Sequence, residues 1–193
     1  MRMPPYNAPP QAPILYIKPR NTWIGDGQPI ALPASTLRVQ VGATLGLVIG
    51  RTCVRVREEH AGEHVGGLCV VNDVCLPHAE IFRPAIKERC RDGFCPIGPP
   101  VTLGNRASLG ADRAMRTYVG GRLESEWHTG ELVRPIARLL ADVSDFMTLH
   151  PGDVLLLGTP RATPLAGIGD LVAVEIDGVG RIQNELTAEG TAV

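Results

Sequence analysis

Between residues 67 and 99 the chain reads GLCVVNDVCLPHAEIFRPAIKERCRDGFCPIGP. The apolar run 68–71 stops at Asn72-Asp73, which sets a carboxylate at the mouth of a buried strand. Arg83, Lys87, Arg89 and Arg91 follow within a short span. A guanidinium offers a planar fork of donors that matches a carboxylate with two bonds, so arginines beside an acid suit a small organic anion such as a dicarboxylate. A charge run of this kind equally fits a solvated helix face, and residue type alone leaves both readings open. Asp92-Gly93 then turns the chain into Phe94-Cys95-Pro96-Ile97-Gly98-Pro99, whose Gly and Pro would shape a pocket wall. Lys18 closes a short apolar run, either as a surface cation or as a donor to a substrate oxygen. Thr159 closes another apolar run, VLLLGTP. Lys18, Asp73, Arg89 and Thr159 are therefore expected to converge on one cleft.

Elements must exist to hold these groups. Strands are expected over 14–17, 37–50, 67–72, 154–157, 171–176 and 180–183, the last two joined by Asp177-Gly178. In the second of these, Gly42, Thr44 and Gly46 fall on one face and Ala43, Leu45 and Leu47 on the other. Gly120-Gly121 separates 115–119 from 122–127 and reads as a two-residue hairpin. Apolar residues at Leu132, Val133, Ile136, Leu139, Leu140, Val143 and Phe146 recur at helical spacing, so 131–147 is predicted to be the main amphipathic helix, with Pro135 in its first turn. A short polar helix is expected over 58–65 and a weak one over 79–90. Residues 1–13 carry five prolines and read as an extended arm before a single mainly β (α+β) domain over 14–193.

Composition narrows the function classes. A chain of 193 residues supports a substantial core, and with 44% hydrophobic but only 4% aromatic residues that core must be aliphatic. A net charge of −1 argues against a nucleic-acid partner, because phosphate binding needs a basic surface. No apolar run approaches the roughly 20 residues of a spanning helix, so no membrane partner is expected. Cys53, Cys69, Cys75, Cys90 and Cys95 are odd in number and contain no CxxC, so reduced thiols in the cytoplasm are expected. Cys90 with Cys95 lacks the second pair that a zinc site needs.

Several strings fall together in one order: YIKPRNT, the VIG that ends the long strand, VVND, RDGFCPIGP, TLHPGDVLLLGTP and GIGD…VEIDGVGRIQN. They resemble the fumarylacetoacetate hydrolase family over nearly the whole chain, which implies a mixed β-roll. YIKPRNT and PAIKERCRDGFCPIG are most similar to the branch of 4-hydroxyphenylacetate (homoprotocatechuate) degradation, and to the N-terminal half of its two-part decarboxylase/isomerase. The resemblance implies decarboxylation of 5-oxopent-3-ene-1,2,5-tricarboxylate and isomerisation of 2-hydroxyhepta-2,4-diene-1,7-dioate. It also implies a companion subunit of the same fold, or self-association. A non-catalytic scaffold subunit and an acylpyruvate-type C–C hydrolase are the alternatives.

The departures matter as much. Active members of the family carry Glu-x-Glu before the VIG-type motif, and with the Asp of Asn-Asp these hold Mg²⁺ or Mn²⁺ through oxygen ligands. Here those positions are Gly42 and Thr44, and Asp73 alone remains. No tightly bound metal is expected in this chain, and Mg²⁺ or Mn²⁺ is assigned to the companion. Arg89 stands where the family has a Lys, and the family's His- and Glu-bearing lid is not expected within the 193 residues. The resemblance thus leaves Lys18, Asp73 and Arg89 as catalytic candidates, with Arg83, Arg91 and Thr159 as substrate-binding ones.

Overall fold

A computed structural model describes residues 12–78, 84–104, 106–160 and 162–190, with the side chains of 106 and 107 left aside. Among them the strands are β1 (Trp23–Ile24), β2 (Ile30–Leu32), β3 (Arg38–Gln40), β4 (Ala43–Ile49), β5 (Val65–Asn72), β6 (Cys95–Pro96), β7 (Ala114–Val119), β8 (Arg122–His128), β9 (Val154–Leu156), β10 (Leu165–Gly167), β11 (Leu171–Ile176) and β12 (Gly180–Ala188). The α-helices are α1 (Ile86–Arg89) and α2 (Ile136–Phe146). A five-stranded sheet in the order β2-β12-β11-β7-β8 is antiparallel except where β12 meets β2. Facing it is a three-stranded antiparallel sheet, β5-β4-β9, and the pairs β1-β6 and β10-β3 complete a mixed, mainly β architecture. No helix of the described residues is long and apolar enough to cross a membrane.

The alternation of β4 explains the layering. Ala43, Leu45 and Leu47 enter the main core with Val70, Met115, Val174, Ile176 and Ile182. Thr44, Gly46 and Val48 face the other way, towards the smaller cluster of Cys69, Val71 and Cys95. A Cβ on Gly46 would lie 2.6 Å from the Cys69 sulfur and 2.8 Å from Val154, so only glycine leaves room for these side chains of the two flanking strands. From α2, Ile136, Leu139, Leu140 and Val143 fill the core at i, i+3, i+4 and i+7 spacing. Gly120 and Gly121 have φ of +56° and +79°, the two left-handed residues of a type I′ turn, and they close the β7-β8 hairpin.

Several expected boundaries move. Residues 14–17 form no strand, since the chain runs irregularly from 13 to 19 and leaves Ile14 and Ile17 largely exposed. Prolines at 13 and 19 bracket this stretch and remove ladder donors. The run 37–50 breaks into β3 and β4, which join different sheets because Val41 and Gly42 turn aside to bond Pro164 and Asn72. Residues 58–63 form a 3₁₀ helix, and Val65 already belongs to β5. Helix α2 starts at Ile136, not at 131, because Pro135 caps it and the residue before a proline resists helical geometry. In 79–90 the described helix is the single turn α1, and 79–83 lie outside the described residues. The expected arm over 1–13 also lies almost wholly outside them.

Candidate active site

The β4-β5 register sets Ala43 opposite Asn72, which brings the ends of both strands together. The Asp73 N–H bonds the Gly42 carbonyl at 2.9 Å, and the Gly42 N–H bonds Asn72 Oδ1 at 3.0 Å. Gly42, Thr44 and Asp73 therefore share one strand end. Asp73 is buried, 4% exposed, and three side chains converge on its carboxylate. Lys18 Nζ lies 3.0 Å from Oδ1, Arg89 Nη1 lies 3.4 Å from Oδ2, and the Tyr16 hydroxyl donates to Oδ2. The Arg89 guanidinium also stacks over the Tyr16 ring, 4.0 Å from its centroid.

Lys18 is neither a surface cation nor a spare donor. Its ammonium donates to the carbonyls of Val74 at 2.6 Å, Arg89 at 2.9 Å and Phe94 at 2.9 Å, which accounts for all three N–H groups. The contact with Asp73 Oδ1 is thus an ion pair without a directed hydrogen bond, and Oδ1 has no donor among the described residues. Lys18 ties the strand end, α1 and the Phe94 turn to one point. Arg89 differs, with its side chain 23% exposed and only a long contact to Asp73. Burial alone would lower the pKa of Arg89, yet Tyr16 and Asp73 outweigh burial and raise it, so the group stays cationic.

Thr159 approaches this strand end at Gly42, where a Cβ would meet its methyl at 3.0 Å and that of Thr163 at 3.1 Å. Arg91 is half-buried in the turn after α1, where its carbonyl accepts the Phe94 N–H, and among the described residues it makes no contact with Asp73. Arg83 lies outside the described residues. Tyr16 is not singled out by the sequence pattern, because it sits inside a run with the apolar character of a strand. The signal available was a lone phenol two residues before Lys18.

Three of the thiols near this end, those of Cys69, Cys75 and Cys95, are buried. Burial pushes Cys69 and Cys95 up to about 12, and Cys75 rises for the same reason. All five cysteines are free. Cys90 donates to the Ile17 carbonyl while Cys95 packs with Cys69 and Val71, so the two do not act as a pair.

A divalent cation fits this end poorly. Thr44 Oγ1 and Asp73 Oδ1 are buried oxygens without hydrogen-bond partners among the described residues, but one carboxylate and one hydroxyl leave most of about six ligand positions unfilled. The Lys18 ammonium beside Oδ1 would also repel the ion. Among the described residues no three His, Cys, Asp or Glu side chains form a metal-binding group.

Residues 1–187 match the fumarylacetoacetate (FAA) hydrolase C-terminal family. An Escherichia coli protein named 4-hydroxyphenylacetate degradation bifunctional isomerase/decarboxylase is 45% identical over 96% of this chain. The chain spans only 42% of that relative's length. Among solved structures, 5-carboxymethyl-2-hydroxymuconate delta-isomerase from Mycobacterium smegmatis superposes with a TM-score of 0.83 at 33% identity, covering 94% of this chain and 72% of the other. The 2-hydroxyhepta-2,4-diene-1,7-dioate isomerase from Mycobacterium marinum gives 0.81 at 30%, covering 95% and 72%.

Proposed function

The chain belongs to the fumarylacetoacetate hydrolase family, and we propose that it is one part of a two-part decarboxylase/isomerase of 4-hydroxyphenylacetate degradation. Its substrates in this reading are 5-oxopent-3-ene-1,2,5-tricarboxylate and 2-hydroxyhepta-2,4-diene-1,7-dioate. The relative's name and the half-length coverage support the reaction and the need for a companion of the same fold. Free thiols throughout support a cytoplasmic setting.

The observation that carries this chain's own share is the pairing of Asp73 with a partly open Arg89. Loss of carbon dioxide beside a carbonyl leaves an electron pair that enters an enolate, whose oxygen needs an electrophile. Arg89 is permanently charged and supplies an anchor for a substrate carboxylate or the enolate oxygen, but it cannot take up a proton. Asp73 is buried, and its carboxylate is already engaged by Lys18, Arg89 and the Tyr16 hydroxyl, so it is committed to internal contacts. Proton transfer in the isomerisation therefore belongs to the companion, which also holds the Mg²⁺ or Mn²⁺. The residues at Gly42 and Thr44 support a second reading, in which this chain is a scaffold without a ligand of its own.

The test is to assay carbon dioxide release and isomerisation with the chain alone, the companion alone and the two mixed, each with and without Mg²⁺. The mixture is expected to turn over and the chain alone to stay inactive. An Arg89→Ala subunit in the mixture is expected to raise KM. An unchanged KM favours the scaffold, and full turnover by the isolated chain refutes the division of labour.

A further inference from the structure

Oδ2 of Asp73 receives two donors of unequal quality. The Tyr16 hydroxyl makes a close hydrogen bond, whereas Arg89 Nη1 stands at 3.4 Å, the long limit for such a bond. Oδ1 has the Lys18 charge nearby but no directed donor. If Tyr16 were absent, the demand of a buried carboxylate for hydrogen bonds would fall on Arg89. The guanidinium would then be drawn onto Asp73 and away from any ligand.

We propose that Tyr16 is a positioning residue that satisfies Asp73 and so releases Arg89 to bind a carboxylate of the substrate; this rests on the reading of Arg89 as the anion anchor. The two parts of the side chain do different work. The hydroxyl holds Oδ2, and the ring supports the guanidinium face, leaving the in-plane fork for a carboxylate. Although Tyr16 as a residue is 41% exposed, its hydroxyl end lies against buried Asp73. Burial first, and the charge of Asp73 second, raise the phenol's pKa far above its ordinary range, so it remains a donor. The segment that carries it is compatible with this role. Among the described residues 12–17 make no backbone–backbone hydrogen bonds to the rest of the chain; the Ile17 carbonyl accepts from Cys90, and Tyr16 and Lys18 pin the segment by their side chains.

Calorimetric titration with 2-oxoglutarate, a stable 2-oxo dicarboxylate, tests this on the full chain. Tyr16→Phe keeps the ring and removes the donor, and it is expected to bind about tenfold more weakly than the unmodified chain, about 1.4 kcal/mol. Adding Asp73→Asn to Tyr16→Phe removes the charge that draws Arg89 back, and is expected to restore binding to within about threefold of Asp73→Asn alone. A purely structural Tyr16 would show no such restoration. Tyr16→Phe binding like the unmodified chain, or no restoration by Asp73→Asn in folded protein, overturns the proposal. Where Asp73→Asn does not fold by urea titration, Tyr16→Leu replaces it and must bind more weakly than Tyr16→Phe. Arg89→Ala binding as well as the unmodified chain refutes the anchor reading itself, a result separate from the Tyr16 comparison, and the proposal falls with it. Absence of binding by the unmodified chain has the same consequence.

Discussion

Lys18 Nζ lies 3.0 Å from Asp73 Oδ1 with the two side chains 5% and 2% exposed, yet its three protons point to the carbonyls of Val74, Arg89 and Phe94. The pair is a structural tie at the base of the candidate site. Lys18→Met would leave a buried carboxylate short of countercharge and three carbonyls short of a donor. Removing one partner of a buried pair costs about 3–5 kcal/mol. Urea unfolding is expected to show a loss of this order, and Asp73→Asn in the same chain is expected to recover part of it. A change below about 1 kcal/mol would mean the tie contributes little.

Arg89 is expected to carry anion affinity. Arg89→Ala should weaken binding of a 2-oxo dicarboxylate by about 1.5–3 kcal/mol, the worth of a hydrogen bond to a charged group. Arg91→Ala, in the turn beyond α1, should cost less. Equal losses at the two positions would assign the affinity to general positive charge.

Restoring carboxylates at this strand end should create a metal site. The unmodified chain is expected to show no Mn²⁺-dependent rise in Tm, because among the described residues no three His, Cys, Asp or Glu side chains gather at this end. Gly42→Glu with Thr44→Glu supplies two carboxylates, although Thr159 and Thr163 must shift by a few tenths of an ångström to admit the first. In that variant Mn²⁺ is expected to raise Tm, as a ligand bound to the folded state alone must. A clear Mn²⁺ shift in the unmodified chain would return this end of β5 to the metal-binding members of the family.

Alkaline pH should destabilise the fold through its buried thiols. Cys69 and Cys95 rise from 9.0 to about 12 on folding, so the folded chain holds these protons more tightly than the unfolded one. Their contribution is fully present below pH 9.0 and is lost as pH climbs towards about 12. Urea midpoints should fall across this window, and more gently in Cys69→Ala. At neutral pH, half-buried Cys90 should react with a thiol reagent well before Cys69 or Cys95. Simultaneous labelling of all five would contradict the packing.

The core of α2 gives a fourth measure of stability. Leu140 is fully buried and should cost about 2–5 kcal/mol when cut to Ala. Val133, 88% exposed, should tolerate Ser within about 0.5 kcal/mol, although both residues share one apolar periodicity in the sequence.

Local chemistry was readable wherever one residue type has few uses. Gly120-Gly121 announced its hairpin because two successive left-handed residues favour glycine, and the 3.6-residue recurrence from Ile136 to Val143 announced α2. The alternation from Ala43 to Leu47 announced which face of β4 is core, and the family strings announced the mixed β architecture. Residue type also marked Asp73 and Arg89, while the resemblance to the family marked Gly42 and Thr44 as positions that lack its carboxylates. What the sequence could not determine was partnership across distance. Residues 14–17 look like a strand, but strand formation requires a ladder partner, and none of the described residues provides one. Lys18 reads alike whether its ammonium meets solvent, substrate or three carbonyls, because those carbonyls come from Val74, Arg89 and Phe94, up to 76 positions away. Tyr16 acquires its role from Asp73, 57 positions along the chain, through a single contact that no local pattern encodes. Periodicity and turn chemistry act between neighbours and are written in the sequence; the pairing of buried charges depends on which strand ends the fold brings together, and only the tertiary structure decides that.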